Sequence, residues 1–248
     1  MKDIIINKLV QIEKDFKVKI LYACESGSRA WGFASPDSDY DVRFIYVHNN
    51  SHYLSIDEQR DVIELPINEV LDINGWDLRK ALRLFRKSNG PLYEWLQSPI
   101  IYQTASNFQA DIEALMDVYF SPRAMTHHYL SMARNVVDND LSGPDVRLKK
   151  YFYALRPALA SRWVVDCKSV PPMEFGKLRS LLDARLNSIV DNLLEQKVLV
   201  DEKFTIKSIK ELHLWLADQI EYCENRVPEA SAVADSGLLN ELFRKYIL

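Results

Sequence analysis

The sequence predicts an α+β fold, with a domain of strands and helices over residues 1–105 followed by an all-helical domain over 106–248. Three observations carry this prediction. Two apolar runs of strand length, 18–24 and 42–47, lie close together near the N-terminus. A loop rich in Gly, Ser and Asp separates them. From Phe108 onward the apolar spacing turns helical and stays so.

Taken in order, residues 1–16 place Ile4, Ile5, Leu9, Ile12 and Phe16 at near-helical spacing, which predicts an amphipathic helix packed on the sheet. The two apolar runs follow as strands, and 48–51 is a turn or loop. Residues 53–57 read as short and ambiguous. A third strand is expected over 60–66, with Pro66 marking its end or an edge. The stretch 70–77 is expected to begin as a strand, and 78–85 is a helix with Leu78, Leu82 and Phe85 on one side. Asp77 suits the cap of that helix. A break at 87–91, a short helix at 92–96 and a last strand at 100–102 complete the first domain.

Helices are then expected over 108–120, 122–137, 146–166, 175–195, 208–225 and 238–246, with 138–144 as a loop. The helix at 146–166 contains Pro157, which would kink it. It also holds a basic stripe: Lys149, Tyr153 and Arg156 share a side, with Lys150 beside them. Such a stripe suits phosphates and a stacked base. Its plainer reading is a core helix with a charged margin. His127 and His128 are adjacent, so on a helix their rings point ~100° apart, which disfavours a shared metal.

The loop between the first two strands carries the chemistry. Asp39 and Asp41 alternate on an extended strand, so both point the same way and repel. A divalent cation would relieve that repulsion. Asp37, Asp39 and Asp41 also fit a merely polar turn entering a strand. Upstream, Gly27 lets the backbone approach a phosphate, and Ser28 adds a hydroxyl and an N–H. Gly32 is expected to let this turn pack closely on the strands. Ser35-Pro36-Asp37 supplies turn chemistry. The order strand, Gly-Ser, helical turn, loop and Asp-x-Asp strand is far more specific than either half.

These residues resemble the DNA polymerase β-like nucleotidyltransferase superfamily, whose signature is Gly-Ser followed about ten residues later by Asp-x-Asp. Gly27-Ser28 and Asp39-x-Asp41 match it. The longer wording GSRAWGFASPDSDYDVR, with GWDLRKAL and KKYFYALRPALASRW downstream, looks like the predicted nucleotidyltransferase branch associated with RNA ligases and RNA repair. The resemblance implies a polymerase β-like domain, a mixed sheet with flanking helices, whose cleft has the helical domain as its other wall. It implies two Mg2+ (or Mn2+) ions on Asp39 and Asp41, and a triphosphate, ATP first, on Gly27 and Ser28. A third carboxylate is implied on a neighbouring strand, for which Asp72 and Asp77 are rivals and Glu64 a more distant choice. Lys80, one turn into the helix, is either a triphosphate contact or a solvated lysine. The acceptor is an RNA end, a protein hydroxyl or a small molecule. A nucleotide- or RNA-binding regulator with little turnover is the competing reading, and a purely helical interaction module is another.

Composition narrows the class. A hydrophobic fraction of 48% and a charged fraction of 27% are those of an ordinary globular protein. No apolar run approaches the ~20 residues a membrane span needs. Three scattered cysteines without a C-x-x-C argue against a zinc site or disulfide framework, and the N-terminus reads as no secretory signal, so a cytoplasmic location is expected. A net charge of −4 argues against a whole-surface nucleic-acid binder while leaving room for a local basic groove.

Overall fold

The structure, a computed structural model, describes residues 1–66, 70–230, 232 and 234–248. Its elements begin with α1 (Lys2–Phe16), β1 (Lys19–Glu25), α2 (Gly27–Trp31), β2 (Tyr40–Val47), α3 (Asn50–Tyr53), β3 (Val62–Glu64) and β4 (Leu71–Asp77). Next come α4 (Leu78–Arg86), α5 (Gly90–Leu96), β5 (Ile101–Thr104), α6 (Phe108–Glu113) and α7 (Met116–Tyr119). The remainder is α8 (Pro122–Asp140), β6 (Asp145–Arg147), α9 (Leu148–Cys167), α10 (Phe175–Leu178), α11 (Ala184–Lys197), β7 (Thr205–Lys207), α12 (Lys210–Glu224) and α13 (Gly237–Ile247). Among the described residues no helix is long and apolar enough to cross a membrane.

The chain forms two compact units. Met1–Gly27, Asp39–Phe120 and Val233–Leu248 make the first, and Ser28–Ser38 with Ser121–Ala232 makes the second. A single cut at 105/106 therefore does not describe the division. Residues 106–120 stay with the first unit, where the Ser88 hydroxyl donates to Tyr119 O at 2.8 Å. The C-terminal helix α13 belongs there too. Lys245 Nζ lies 2.6 Å from Asp111, Tyr246 donates to the same carboxylate, and Phe243 meets Tyr53 edge-on at 5.1 Å.

A five-stranded sheet in the order β3-β4-β2-β1-β5 organises the first unit. β2 and β4 run parallel and the other pairs antiparallel, so the sheet is mixed. Alternation along each strand divides the apolar residues between two faces. On one face Ile20, Ala23, Val42, Phe44, Tyr46, Ile63, Leu71 and Ile73 pack with Ile5, Leu9 and Ile12 of α1. The predicted amphipathic helix thus finds its partner. Gly75 on β4 leaves room for the Phe44 ring, since a Cβ there would stand 2.2 Å from it. On the other face Trp76 meets Trp95 of α5 at 4.0 Å, and the Tyr22 hydroxyl donates to Trp95 O at 2.7 Å. The strand expected over 60–66 shortens to β3, whereas 71–77 is strand throughout.

The second unit is mainly helical but not wholly so, because β6 and β7 pair as an antiparallel ribbon. Two expected helices are broken. The 108–120 stretch, in the first unit, splits into α6 and α7. The 175–195 stretch splits into α10, a 3-10 turn and α11, because the Asp183 carboxylate caps α11 by accepting from Leu186 N at 2.8 Å. Pro157 is accommodated within α9, whose twenty residues are continuous helix.

Segment 28–38 is pinned into this unit by aromatic packing. Phe33 stacks on Phe152 at 5.1 Å and meets Phe175 edge-on at 5.6 Å, while Trp31 meets Tyr153 edge-on at 5.7 Å. Lys197, almost wholly buried, donates to Ser35 Oγ, and Ser38 Oγ donates to Glu202 at 3.2 Å. The Ser-Pro turn forms as expected, with Ser38 N bonded to Ser35 O at 3.1 Å. Gly32 does not serve packing. It has φ +89° and no atom within 4 Å of where a Cβ would stand, so its backbone conformation is what requires glycine.

Candidate active site

Asp41 and Asp72 meet through the parallel pairing of β2 with β4. Their Cα atoms are register partners, and partners in a parallel ladder project from the same face. Neighbouring strands stand about 4.8 Å apart, so the two carboxylates are side by side. Both remain partly open to solvent, with side chains 30% and 28% exposed. Asp39 lies one residue ahead of β2 and is exposed. The β2–β4 ladder starts at Tyr40, whose N–H donates to Val70 O at 2.8 Å, so Asp39 enters from the turn just before the strand that holds Asp41.

Arg43 occupies the same face two residues on. Its Nη2 lies 3.1 Å from Asp41 Oδ1 and 2.7 Å from Asp72 Oδ2. Its Nη1 donates to the carbonyls of Val42 at 3.1 Å and Asp72 at 3.2 Å. One guanidinium nitrogen thus offsets the repulsion of two adjacent carboxylates, while the other is anchored on the backbone. Among the described residues no three His, Cys, Asp or Glu side chains form a ready-made metal cage.

Gly27, at the start of α2, closes in on Asp41. It has φ +61°, and a Cβ there would stand 2.0 Å from Asp41 Oδ2, so both conformation and space require glycine. The adjoining backbone is tied down independently of the carboxylate, since Ser26 N donates to Asp41 O at 2.8 Å. Asp41 N in turn donates to Glu25 Oε1 at 2.8 Å. Glu25 is fully buried and also accepts from the Tyr102 hydroxyl. A buried carboxyl group needs such partners. Ser28, the next residue after Gly27, is buried in the first turn of α2. Cys24 is a buried neighbour on β1, and burial pushes its thiol well above the ordinary range, so it is no nucleophile.

Asp77 is separated from this group. Odd-numbered residues of β4 face the α1 core, so Asp77 points away from the side that holds Asp72. Its carboxylate caps α4 by accepting from Arg79 N at 2.8 Å and takes the Tyr53 hydroxyl at 2.6 Å. Burial and that carboxylate together raise the Tyr53 phenol, keeping it a donor. Asp77→Ala is expected to cost about 1–3 kcal/mol of stability with little change in any activity that depends on Asp41 and Asp72. Urea unfolding and a turnover assay on the same preparation check this.

The predicted basic contacts fare differently. Lys80 follows Asp77, five residues and therefore roughly 16 Å along the strand from Asp72. Its Nζ lies 3.0 Å from Asp61, so the expectation that it meets a triphosphate at Asp39 and Asp41 does not fit its position. Glu64 on β3 pairs with Arg60 and Asn74 rather than with Asp41. On α9, Arg156 is buried, donates through Nε and Nη2 to Met173 O, and stacks on Trp31 at 4.5 Å. Lys149 pairs with Glu202, Lys150 pairs with Asp140 at 2.9 Å, and Tyr153 packs on Trp31. The stripe thus forms a core helix with a paired charged margin, the plainer of its two readings. His128 packs edge-on against Tyr129 at 5.1 Å.

Sequence reasoning assigned no role to Glu25, Arg43 or Tyr102. Glu25 and Arg43 flank the signature, and a charged residue inside an apolar strand was the available signal. Tyr102 carried none.

With this geometry in hand, the chain matches the model of the RNA repair pathway DNA polymerase beta family (RlaP) over residues 1–245. It belongs to that family. Membership covers both units and makes the protein nucleotidyltransferase-like, within an RNA repair-associated group. Uncharacterized protein YcgL of Bacillus subtilis (strain 168) is 48% identical over 233 residues, covering 93% of this chain and 88% of that one. A solved nucleotidyltransferase-like protein from Exiguobacterium sibiricum 255-15 aligns with 97% of this chain and 80% of its own, at 13% identity and a TM-score of 0.37. At that score the likeness carries no argument. For this RlaP-family chain, the signature residues Gly27, Asp41 and their partner Asp72 are the ones that the first unit brings together.

Proposed function

We propose that the protein is a divalent-metal-dependent nucleotidyltransferase. It moves a nucleoside monophosphate from a nucleoside triphosphate, ATP first, to an acceptor hydroxyl, with an RNA end first among the acceptors. The observation that carries this reading is the in-register pair of Asp41 and Asp72 beside Gly27, in a chain of a polymerase beta family. The family's description as an RNA repair pathway supports the RNA acceptor over a protein hydroxyl or a small molecule.

The residues fit a magnesium or manganese ion. Mg2+ binds through one or two carboxylates together with substrate phosphates, and Asp41 and Asp72 offer two adjacent, partly exposed oxygen donors. Asp39 would join them from the exposed turn. A bound Mg2+ or Mn2+ supplies charge neutralisation at the phosphates and eases loss of the acceptor proton. Gly27 lets the chain pass close to Asp41, and the Gly27-Ser28 turn would hold the triphosphate through its N–H groups. In the reaction the acceptor oxygen bonds to the α-phosphorus, the bond to the β-phosphate oxygen breaks, and pyrophosphate leaves. The protein's share is positioning and electrostatics, without a covalent intermediate.

A nucleotide-binding regulator with little turnover is favoured by one observation, the Arg43 guanidinium that already balances both carboxylates. Calorimetric titration of each nucleoside triphosphate, with and without Mg2+, separates the readings. Wild type is expected to bind in a magnesium-dependent way that Asp39→Asn/Asp41→Asn abolishes. Binding that ignores both the ion and the substitutions overturns the enzyme reading.

A further inference from the structure

We infer that Arg43 is a built-in counter-ion with which a divalent cation competes for Asp41 and Asp72. The inference deepens the proposed function and rests on its metal site. Arg43 Nη2 lies within 3.1 Å of one carboxylate and 2.7 Å of the other, so it stands where a shared cation would bind. Carboxylate oxygens engaged by a guanidinium are poorer donors to a metal, because the two positive charges would share the same lone pairs. The Asp72 oxygen nearest Arg43 is Oδ2, and that nearest on Asp41 is Oδ1.

Arg43 is also held firmly. Its side chain is 18% exposed, and its second nitrogen bonds two backbone carbonyls of β2 and β4. Releasing it breaks ion pairs and hydrogen bonds together, so competition weakens metal binding rather than blocking it. The same pairs stabilise the parallel β2–β4 contact when no metal is bound, since adjacent carboxylates without a cation repel. Free metal ion should therefore bind wild type weakly. Metal that arrives with a triphosphate has further ligands and meets a smaller barrier.

The test titrates Mn2+ into metal-free full-length protein, without nucleotide. Free ion is counted by electron paramagnetic resonance, and thermal unfolding is followed in parallel. Arg43→Gln is expected to bind Mn2+ roughly 3- to 30-fold more tightly than wild type. It is also expected to melt lower without metal and to gain more from added Mn2+. Arg43→Lys keeps the charge but not the fork, so its affinity should fall between the two, and it serves if Arg43→Gln does not fold. Mn2+ binding by wild type with equal or weaker affinity in a folded variant overturns this inference alone. No Mn2+ binding by either protein overturns the proposed metal site as well.

Discussion

Asp41→Asn is expected to lower nucleotidyl transfer by at least about 10²- to 10³-fold while the protein stays folded. Amide replaces carboxylate, which removes a charge from the site and a strong oxygen donor from any bound metal. The fold of the strand does not depend on that carboxylate, because Asp41 N is held by Glu25 and Asp41 O by Ser26. The partly exposed ion pair of its side chain with Arg43 is worth about 0.2–1 kcal/mol. Arg43 keeps its shorter contact with Asp72. Activity and stability should thus respond on very different scales. Transfer assays alongside urea unfolding measure both, and a large loss of stability would place Asp41 in the scaffold instead.

Gly27→Ala should damage both properties at once. The positive φ of 61° is strained for any residue with a Cβ, at about 1–2 kcal/mol. The added carbon would also stand 2.0 Å from Asp41 Oδ2, so either the turn or the carboxylate must shift. Displacement of about 1 Å in a positioned catalytic group reduces rate on the order of 10²-fold. Gly32→Ala provides the comparison. Gly32 has φ +89° and nothing within 4 Å of the new carbon, so it imposes backbone strain without the overlap. Transfer reduced in Gly27→Ala and largely kept in Gly32→Ala, at comparable stability, would assign the loss to Asp41. Equal losses would assign it to backbone strain.

Local features of this fold were legible in the sequence because local physics produces them. Apolar runs at 18–24 and 42–47 became β1 and β2, and the stripe of Ile5, Leu9 and Ile12 became the inner side of α1. Asp77 announced itself as a helix cap and is one. What the spacing does not contain is which surfaces meet. Nothing in 28–38 tells that Trp31 and Phe33 pack among the aromatic residues of α9 and α10, or that α13 returns to Asp111. Both depend on contacts between residues more than a hundred positions apart.

The candidate site divides along the same line. Gly27, Asp39 and Asp41 were readable as a signature because they are close in sequence. Asp72 and Asp77 remained rivals until the parallel register set Asp72 beside Asp41 and turned Asp77 to the other face. The basic stripe of α9 shows what helical spacing leaves out. Helical spacing shows which residues share a side, but Arg156 lies inside with Trp31 over its guanidinium, and Lys149 and Lys150 meet carboxylates. Arg43 escaped attention because a charged residue in an apolar strand reads as an interruption, whereas its guanidinium pairs with both carboxylates.

The most direct test of the central claim uses triphosphate labelled at the α position and, separately, at the γ position. Each is incubated with the protein, Mg2+ and RNA bearing a free 3′ hydroxyl. The account predicts α label joined to the RNA, stoichiometric pyrophosphate, no γ label on the RNA, and loss of transfer in folded Asp41→Asn. Label transferred from the γ position, or α transfer undiminished in Asp41→Asn, would contradict it.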